Sequence, residues 1–162
     1  MHRMTPTHAA ALIVVRESLT LMHKALEGLP DEAAGWRPAP GTNSLVVLVE
    51  HSITSTRFWL RNGSNQRGSL LRYRAEDRAP AFGATGKSIA DLVRDLDSFA
   101  REAEATLSGG DERALEAVLD WRSEDASEPV HTGVEALLRG LAHLREHVGQ
   151  AELMRDLWLA RS

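Results

Sequence analysis

Residues 143–153 read HLREHVGQAEL, in a chain without a single cysteine. His143 and His147 stand four apart on a helical pattern, so their imidazoles lie about one turn from each other, close enough to share a first-row metal ion. Spacing alone also fits solvated or packed histidines, and a metal site needs a third ligand. On a helical wheel at roughly 100° per residue, Glu135, Arg139, Arg145, Glu146 and Asp156 fall on one polar arc. His143 and His147 fall on another side, with Ala136, Gly140, Gln150, Met154 and Trp158. Leu137, Leu141, Leu144 and Val148 form the adjoining apolar stripe, so both histidines point to the interior of a helical assembly or to its mouth.

The third candidate is His51, in SLVVLVEHSITSTRFWL. It shares a face with Val47, Leu48, Ser55 and Phe58 and also points inward. Three imidazoles from two facing helices leave an open coordination position, the pattern of catalytic rather than structural sites. His-only ligation suits Zn, Ni, Cu or Fe(II). Neither His143 nor His147 has the Glu three residues earlier that a di-iron bundle uses. H-L-R-E-H lacks the Glu that follows the first His in a zincin. Gln150, one turn beyond His147, reads either as a cofactor-binding group for a bound water, thiol or substrate, or as a polar side chain at the bundle mouth. Ser55 reads as a small core-facing residue. Glu50 and Glu146 project to other faces, and His2, His8, His23 and His131 read as incidental. No nucleophile elbow, P-loop or dinucleotide fingerprint is present.

Four helical segments position these residues. The first runs from about Pro6 to Glu27, capped by Thr5 and stopped by Gly28 and Pro30. The second begins after Asn43 or Ser44 and ends at Asn62-Gly63. In the third, Ser88 caps with Asp91 three residues on, and the helix runs to Gly109-Gly110. The fourth starts at Thr132, where Glu135 completes a capping box, and reaches about Leu159. The Pro/Gly-rich loop PDEAAGWRPAPGTN joins the first two, with Trp36 packing that loop onto the bundle and Trp158 in the core or at a dimer interface. The connections on either side of the third helix are long enough for crossovers or short extra elements. The fold class is therefore all-α, a four-helix bundle with long crossover connections, and residues 1–162 form one domain.

Composition sets the outer bounds. A chain of 162 residues with 43% hydrophobic and 26% charged residues can bury its own core. A net charge of -4 offers no footprint for nucleic acid. The arginines of RNGSNQRGSLLRYRAEDR (Arg61, Arg67, Arg72, Arg74 and Arg78) are diluted by Glu76 and Asp77; they form a solvated loop or a pocket for an anionic ligand. Without cysteine, any sulfur chemistry uses a thiol brought from outside. The run AAALIVV is broken by Arg16 and Glu17, too short for a membrane span and poorly framed for a signal peptide. A cytoplasmic location is expected, with no membrane partner.

WRPAPGTNSLVVLVEH, from Trp36 to His51, together with HLREHVGQ at 143–150, resembles the DinB-like (DinB/YfiT) superfamily, whose ending is H-x-x-x-H-x-G-Q. The separation of His51 from His143 fits that family's first two ligands, and the likeness covers essentially the whole chain. The resemblance implies a crossover four-helix bundle, frequently a homodimer, and a divalent metal, zinc or nickel, on His51, His143 and His147. Members with known activity use thiols such as bacillithiol, mycothiol or glutathione in transfer or isomerisation reactions. The implied function is a thiol-dependent transferase acting on a small-molecule thiol and an electrophilic substrate. The alternatives are a non-catalytic stress-associated bundle that binds a metal or ligand, or metal-assisted hydrolysis. Many relatives carry Arg after the last His where this chain has Val148; the arginines of 61–78 are the available substitutes for placing an anionic substrate.

Overall fold

Each helix start foreseen from the sequence is built by the capping side chain itself. In the computed structural model, which describes residues 4–161, Thr5 Oγ1 accepts from the backbone N–H of His8 and opens α1, Pro6–Leu26. Ser44 caps α3, Leu45–Asn62, by accepting from Val47 N–H. Reciprocal capping boxes, Ser88 with Asp91 and Thr132 with Glu135, start α6, Ile89–Ser108, and α8, Gly133–Leu159. Each box satisfies two backbone N–H groups that a helix start leaves without partners.

The connections hold short elements. A one-turn helix α2, Asp31–Gly35, lies between α1 and α3. Between α3 and α6 the chain is helical from Leu70 to Phe82: α4, Leu70–Arg72, a π-helical turn, Tyr73–Arg78, and α5, Ala79–Phe82. Beyond α6 come α7, Glu112–Glu116, and two antiparallel two-residue strands, β1 (Val118–Leu119) and β2 (His131–Thr132), paired Val118 to Thr132 and Leu119 to His131.

α3 packs against α6 and α8, and α1 packs against the same two helices, so α1 and α3 face each other across one diagonal and α6 and α8 across the other. The α1–α3 and α6–α8 connections therefore cross the bundle, whereas the α3–α6 connection, expected to be long enough for a crossover, joins neighbouring helices; the all-α, crossover four-helix architecture is the one expected. The core is apolar and closed, with Met22, Leu26, Leu45, Leu60, Leu92, Leu96, Phe99, Leu107, Leu137 and Leu144 all buried. A second cluster of Phe58, Leu70, Tyr73, Leu119, Trp121 and Ala136 fixes the α3–α6 and α6–α8 connections against α3 and α8. There Tyr73 stacks on Phe58 with ring centroids 4.3 Å apart, and Trp121 Nε1–H donates to the Gly68 carbonyl at 2.9 Å. Trp36 meets Trp158 edge to face at 5.6 Å, so the α2–α3 loop is held to the end of α8. Among the described residues no helix is long and apolar enough to cross a membrane.

Gly133, the first residue of α8, has no room for a side chain: a Cβ there would stand 1.8 Å from the Ala114 carbonyl oxygen. Gly149, on the same helix, has nothing within 4 Å. Gly133→Ala is expected to cost about 2 kcal/mol or more through forced backbone movement. Gly149→Ala is expected to gain roughly 0.5 kcal/mol from helix propensity. Urea unfolding midpoints of the two variants against the parent check this pair; equal midpoints would contradict the close approach at Gly133.

Candidate metal centre

The site forms where α3 and α8 lie side by side. A Cβ on Gly140 would be 3.0 Å from Trp59 Cβ, so the glycine lets α8 approach α3 one turn before His143. His51 comes from the middle of α3, and His143 and His147 from the facing side of α8. His51 and His147 are buried, 5% and 6% exposed, and His143 is half-buried.

The three rings meet through their Nε2 atoms. His51 Nε2 lies 3.1 Å from His143 Nε2, and His147 Nε2 lies 3.2 Å from the same atom. One ligand atom from each ring falls within 4.8 Å of the others, and among the described residues these three form the group able to hold a metal ion. Two imidazole nitrogens on one tetrahedral zinc stand roughly 3.3 Å apart, given Zn–N bonds near 2.05 Å. The two close separations fit co-ligands of one ion; the widest, up to 4.8 Å, exceeds the roughly 4.1 Å that two such bonds can span, so the outer rings would have to draw together to share it.

Proton placement supports that fit. Gln150 Oε1 lies 2.7 Å from His147 Nδ1, and an amide oxygen only accepts, so Nδ1 carries a proton, and in the neutral ring Nε2 then presents a bare lone pair. Gln150 Nε2 in turn donates to Glu146 Oε1 at 3.4 Å. Gln150 thus stands behind His147, with its oxygen engaged by the ring. With His147 Nε2 bare, the other tautomers leave the cluster poorly satisfied. Either one N–H is shared between two acceptors, or like groups face each other at His143. His51 Nδ1 and His143 Nδ1 are buried without hydrogen-bond partners. A cation drawn in among the three Nε2 atoms would accept all three lone pairs.

Burial also keeps the rings in their ligating form. Loss of hydration lowers the pKa of His51 to about 3, helped by repulsion from His143, His147 and Arg78. The same loss lowers that of His143 to about 4, with repulsion from His147 and Arg78 adding to it and Glu146 opposing it. Replacing Gln150 with leucine frees the His147 tautomer and is expected to weaken zinc binding about tenfold without loss of fold. Competition with a chromogenic chelator measures this; unchanged affinity would separate Gln150 from the site.

Two further residues neighbour the triad: Phe82, which the sequence did not single out, and Arg78, one of the arginines it offered for an anionic ligand. The Phe82 ring lies over His51 at a centroid distance of 4.3 Å, and the Arg78 guanidinium lies over Phe82 at 4.8 Å. Both come from the α3–α6 connection, expected as a solvated loop or an anionic pocket with room for short extra elements, and helical here. The other arginines of that stretch are differently engaged. Arg61 donates to Glu102, together with Arg57 from the same helix; Arg72 pairs with Glu76, and Arg74 with Asp125 and Glu128. Arg57, Arg61, Arg67 and Arg72 line a cleft of about 530 Å³ beside Tyr73.

The remaining histidines hold the fold. His8 is fully buried, donating from Nε2 to the Gly63 carbonyl and accepting the Thr5 hydroxyl proton at Nδ1. It ties the start of α1 to the end of α3. His23 bridges the Leu19 carbonyl and Asp97, and His131 is buried against Trp59 and Trp121. His2 lies outside the described residues.

Comparison with known proteins adds a family. A conserved protein from Enterococcus faecalis, known from its crystal structure, superposes with a TM-score of 0.73 over 99% of this chain and 100% of its own, at 16% sequence identity; it shares the fold. No curated protein matches the sequence. The family model described as the DinB superfamily matches residues 15–151, a span that contains the bundle core and all three histidines. With most of the chain matched and His51, His143 and His147 gathered at one point, this chain belongs to the DinB superfamily.

Proposed function

We propose that the chain is a metal-dependent enzyme that holds zinc or nickel on His51, His143 and His147 and uses an external low-molecular-weight thiol as its nucleophile. The observation that carries this reading is the convergence of three imidazole Nε2 atoms in a sequence without cysteine. Bound there, a divalent ion supplies the positive charge that makes a thiol acidic near neutral pH. The residues of the chain do the positioning. Burial keeps His51 and His143 unprotonated, Gln150 holds the proton at His147 Nδ1, and Phe82 covers one face of His51 against water. Three histidines contribute no negative charge, so the full charge of the ion acts on whatever occupies the open position.

The experiment is turnover of a chromogenic aryl halide by zinc- or nickel-loaded protein, with and without glutathione, 2-mercaptoethanol and 3-mercaptopropionate. Thiol-dependent product, absent in His147→Ala, is the expected result. Hydrolysis that proceeds without thiol would replace transfer by metal-assisted hydrolysis. Metal uptake with no turnover of any pair would leave a non-catalytic metal-binding bundle.

A further inference from the structure

The electrostatics around the triad are one-sided. The three ligands are neutral, so a divalent ion would keep its charge uncompensated by the protein. Beside it stands another cation. Arg78, at the end of the π-helical turn, rests on Phe82, and Phe82 rests on His51, which places the guanidinium two ring contacts from the site. Among the described residues Arg78 has no ion pair, whereas Arg57, Arg61, Arg72 and Arg74 are each bound to a carboxylate. Glu146 is the acidic group whose field reaches His143, and it is already bound to Gln150. An unpaired guanidinium next to a cation site opposes cation binding by itself. The two positive charges become mutually compatible when an anion lies between them.

We propose that Arg78 receives the acidic group of a small ligand whose donor atom takes the open position of the three-histidine site. The inference rests on the proposed function and narrows its ligand class, to thiols or other donors that carry a carboxylate or phosphate a few bonds away. A guanidinium is suited to this, because its fork pairs with both oxygens of a carboxylate. The Phe82 face holds the guanidinium in place through a contact that leaves its N–H groups free. Nothing covalent is asked of Arg78; it is a binding and specificity residue.

The test uses full-length protein loaded with Co²⁺, whose visible absorption reports ligands entering the open position. 3-Mercaptopropionate is titrated against its neutral amide, in the parent and in Arg78→Gln and Arg78→Lys. The parent is expected to prefer the acid, and Arg78→Gln to lose about tenfold in affinity for the acid with the amide unaffected, the effect of one partly exposed charge-assisted contact. Arg78→Lys is expected to recover part of the loss, and the preference for the acid should shrink at high salt. Equal affinities for acid and amide in the parent, or an equal loss of both in Arg78→Gln, would overturn the role of Arg78 while leaving the metal site standing. Weaker Co²⁺ binding in Arg78→Gln would make the residue structural and would also overturn it. Failure of Co²⁺ to bind, or of either thiol to alter its spectrum, would instead overturn the proposed function and this inference with it.

Discussion

Replacing His147 with alanine is expected to lower zinc affinity by more than about a hundredfold, a larger effect than loss of an outer-shell partner alone. His147 is the proposed ligand with the most defined tautomer: Gln150 accepts from Nδ1, and Nε2 faces His143 at 3.2 Å. Without it two imidazoles remain, and two ligands cannot hold an ion against water with comparable strength. The consequence extends to stability. A ligand present at about a thousandfold excess over its Kd adds roughly 4 kcal/mol to a native state that alone binds it. For a domain of this size that corresponds to a rise in melting temperature of about 10 °C. The parent should show that rise with zinc, and His147→Ala should show little of it, while His23→Ala, whose ring bridges α1 and α6 away from the triad, should keep it. Calorimetric titration and thermal melts with and without zinc measure both quantities. The same stoichiometry and thermal rise in His147→Ala as in the parent would remove His147 from the site.

What the sequence disclosed follows from the range of each interaction. Capping pairs such as Ser88 with Asp91 and Thr132 with Glu135 lie three residues apart, and local chemistry decides them. The inward faces of α3 and α8 follow from a 3.6-residue period, so His51, His143 and His147 could be assigned to a common interior before any coordinates. Gln150 was placed next to His147 by the same period. Helical spacing does not say which ring nitrogen it meets, and its engagement with Nδ1 depends on rotamers. The α3–α6 connection was the least legible part. The position of Phe82 over His51 depends on Tyr73 stacking on Phe58, and on Arg74 reaching Asp125 and Glu128, partners far along the chain. The π-helical turn that carries Tyr73 to Arg78 has no periodic signature of its own, since a single wide turn is set by packing. Gly140 illustrates the same limit: a small residue on the ligand face is visible in the sequence, but its contact with Trp59 belongs to the neighbouring helix.

Acid should weaken the fold and the metal site through the same two rings. His51 and His143 titrate near pH 6.5 when exposed in the unfolded chain, and at about 3 and about 4 in the folded protein. Below pH 6.5 the unfolded state therefore takes up protons that the native state does not, so stability falls as pH falls. The contribution is complete above about pH 6.5 and is lost progressively as pH drops towards the folded values. Its size is on the order of a few kcal/mol, because a ring that swings outward on protonation regains part of its hydration. Between pH 7.5 and 5 most carboxylates stay ionised, which makes this the window for measurement. Urea midpoints of metal-free protein should decline across it, and the double variant His51→Leu with His143→Leu should show a visibly shallower decline, the remainder coming from the other histidines. The zinc-bound protein should decline more steeply than the metal-free form, since protons then also compete with the ion for Nε2. Equal slopes for the parent and the double variant would mean that these rings are hydrated in solution. The three lone pairs would then not be held ready, and the argument for a preformed site would fail with them.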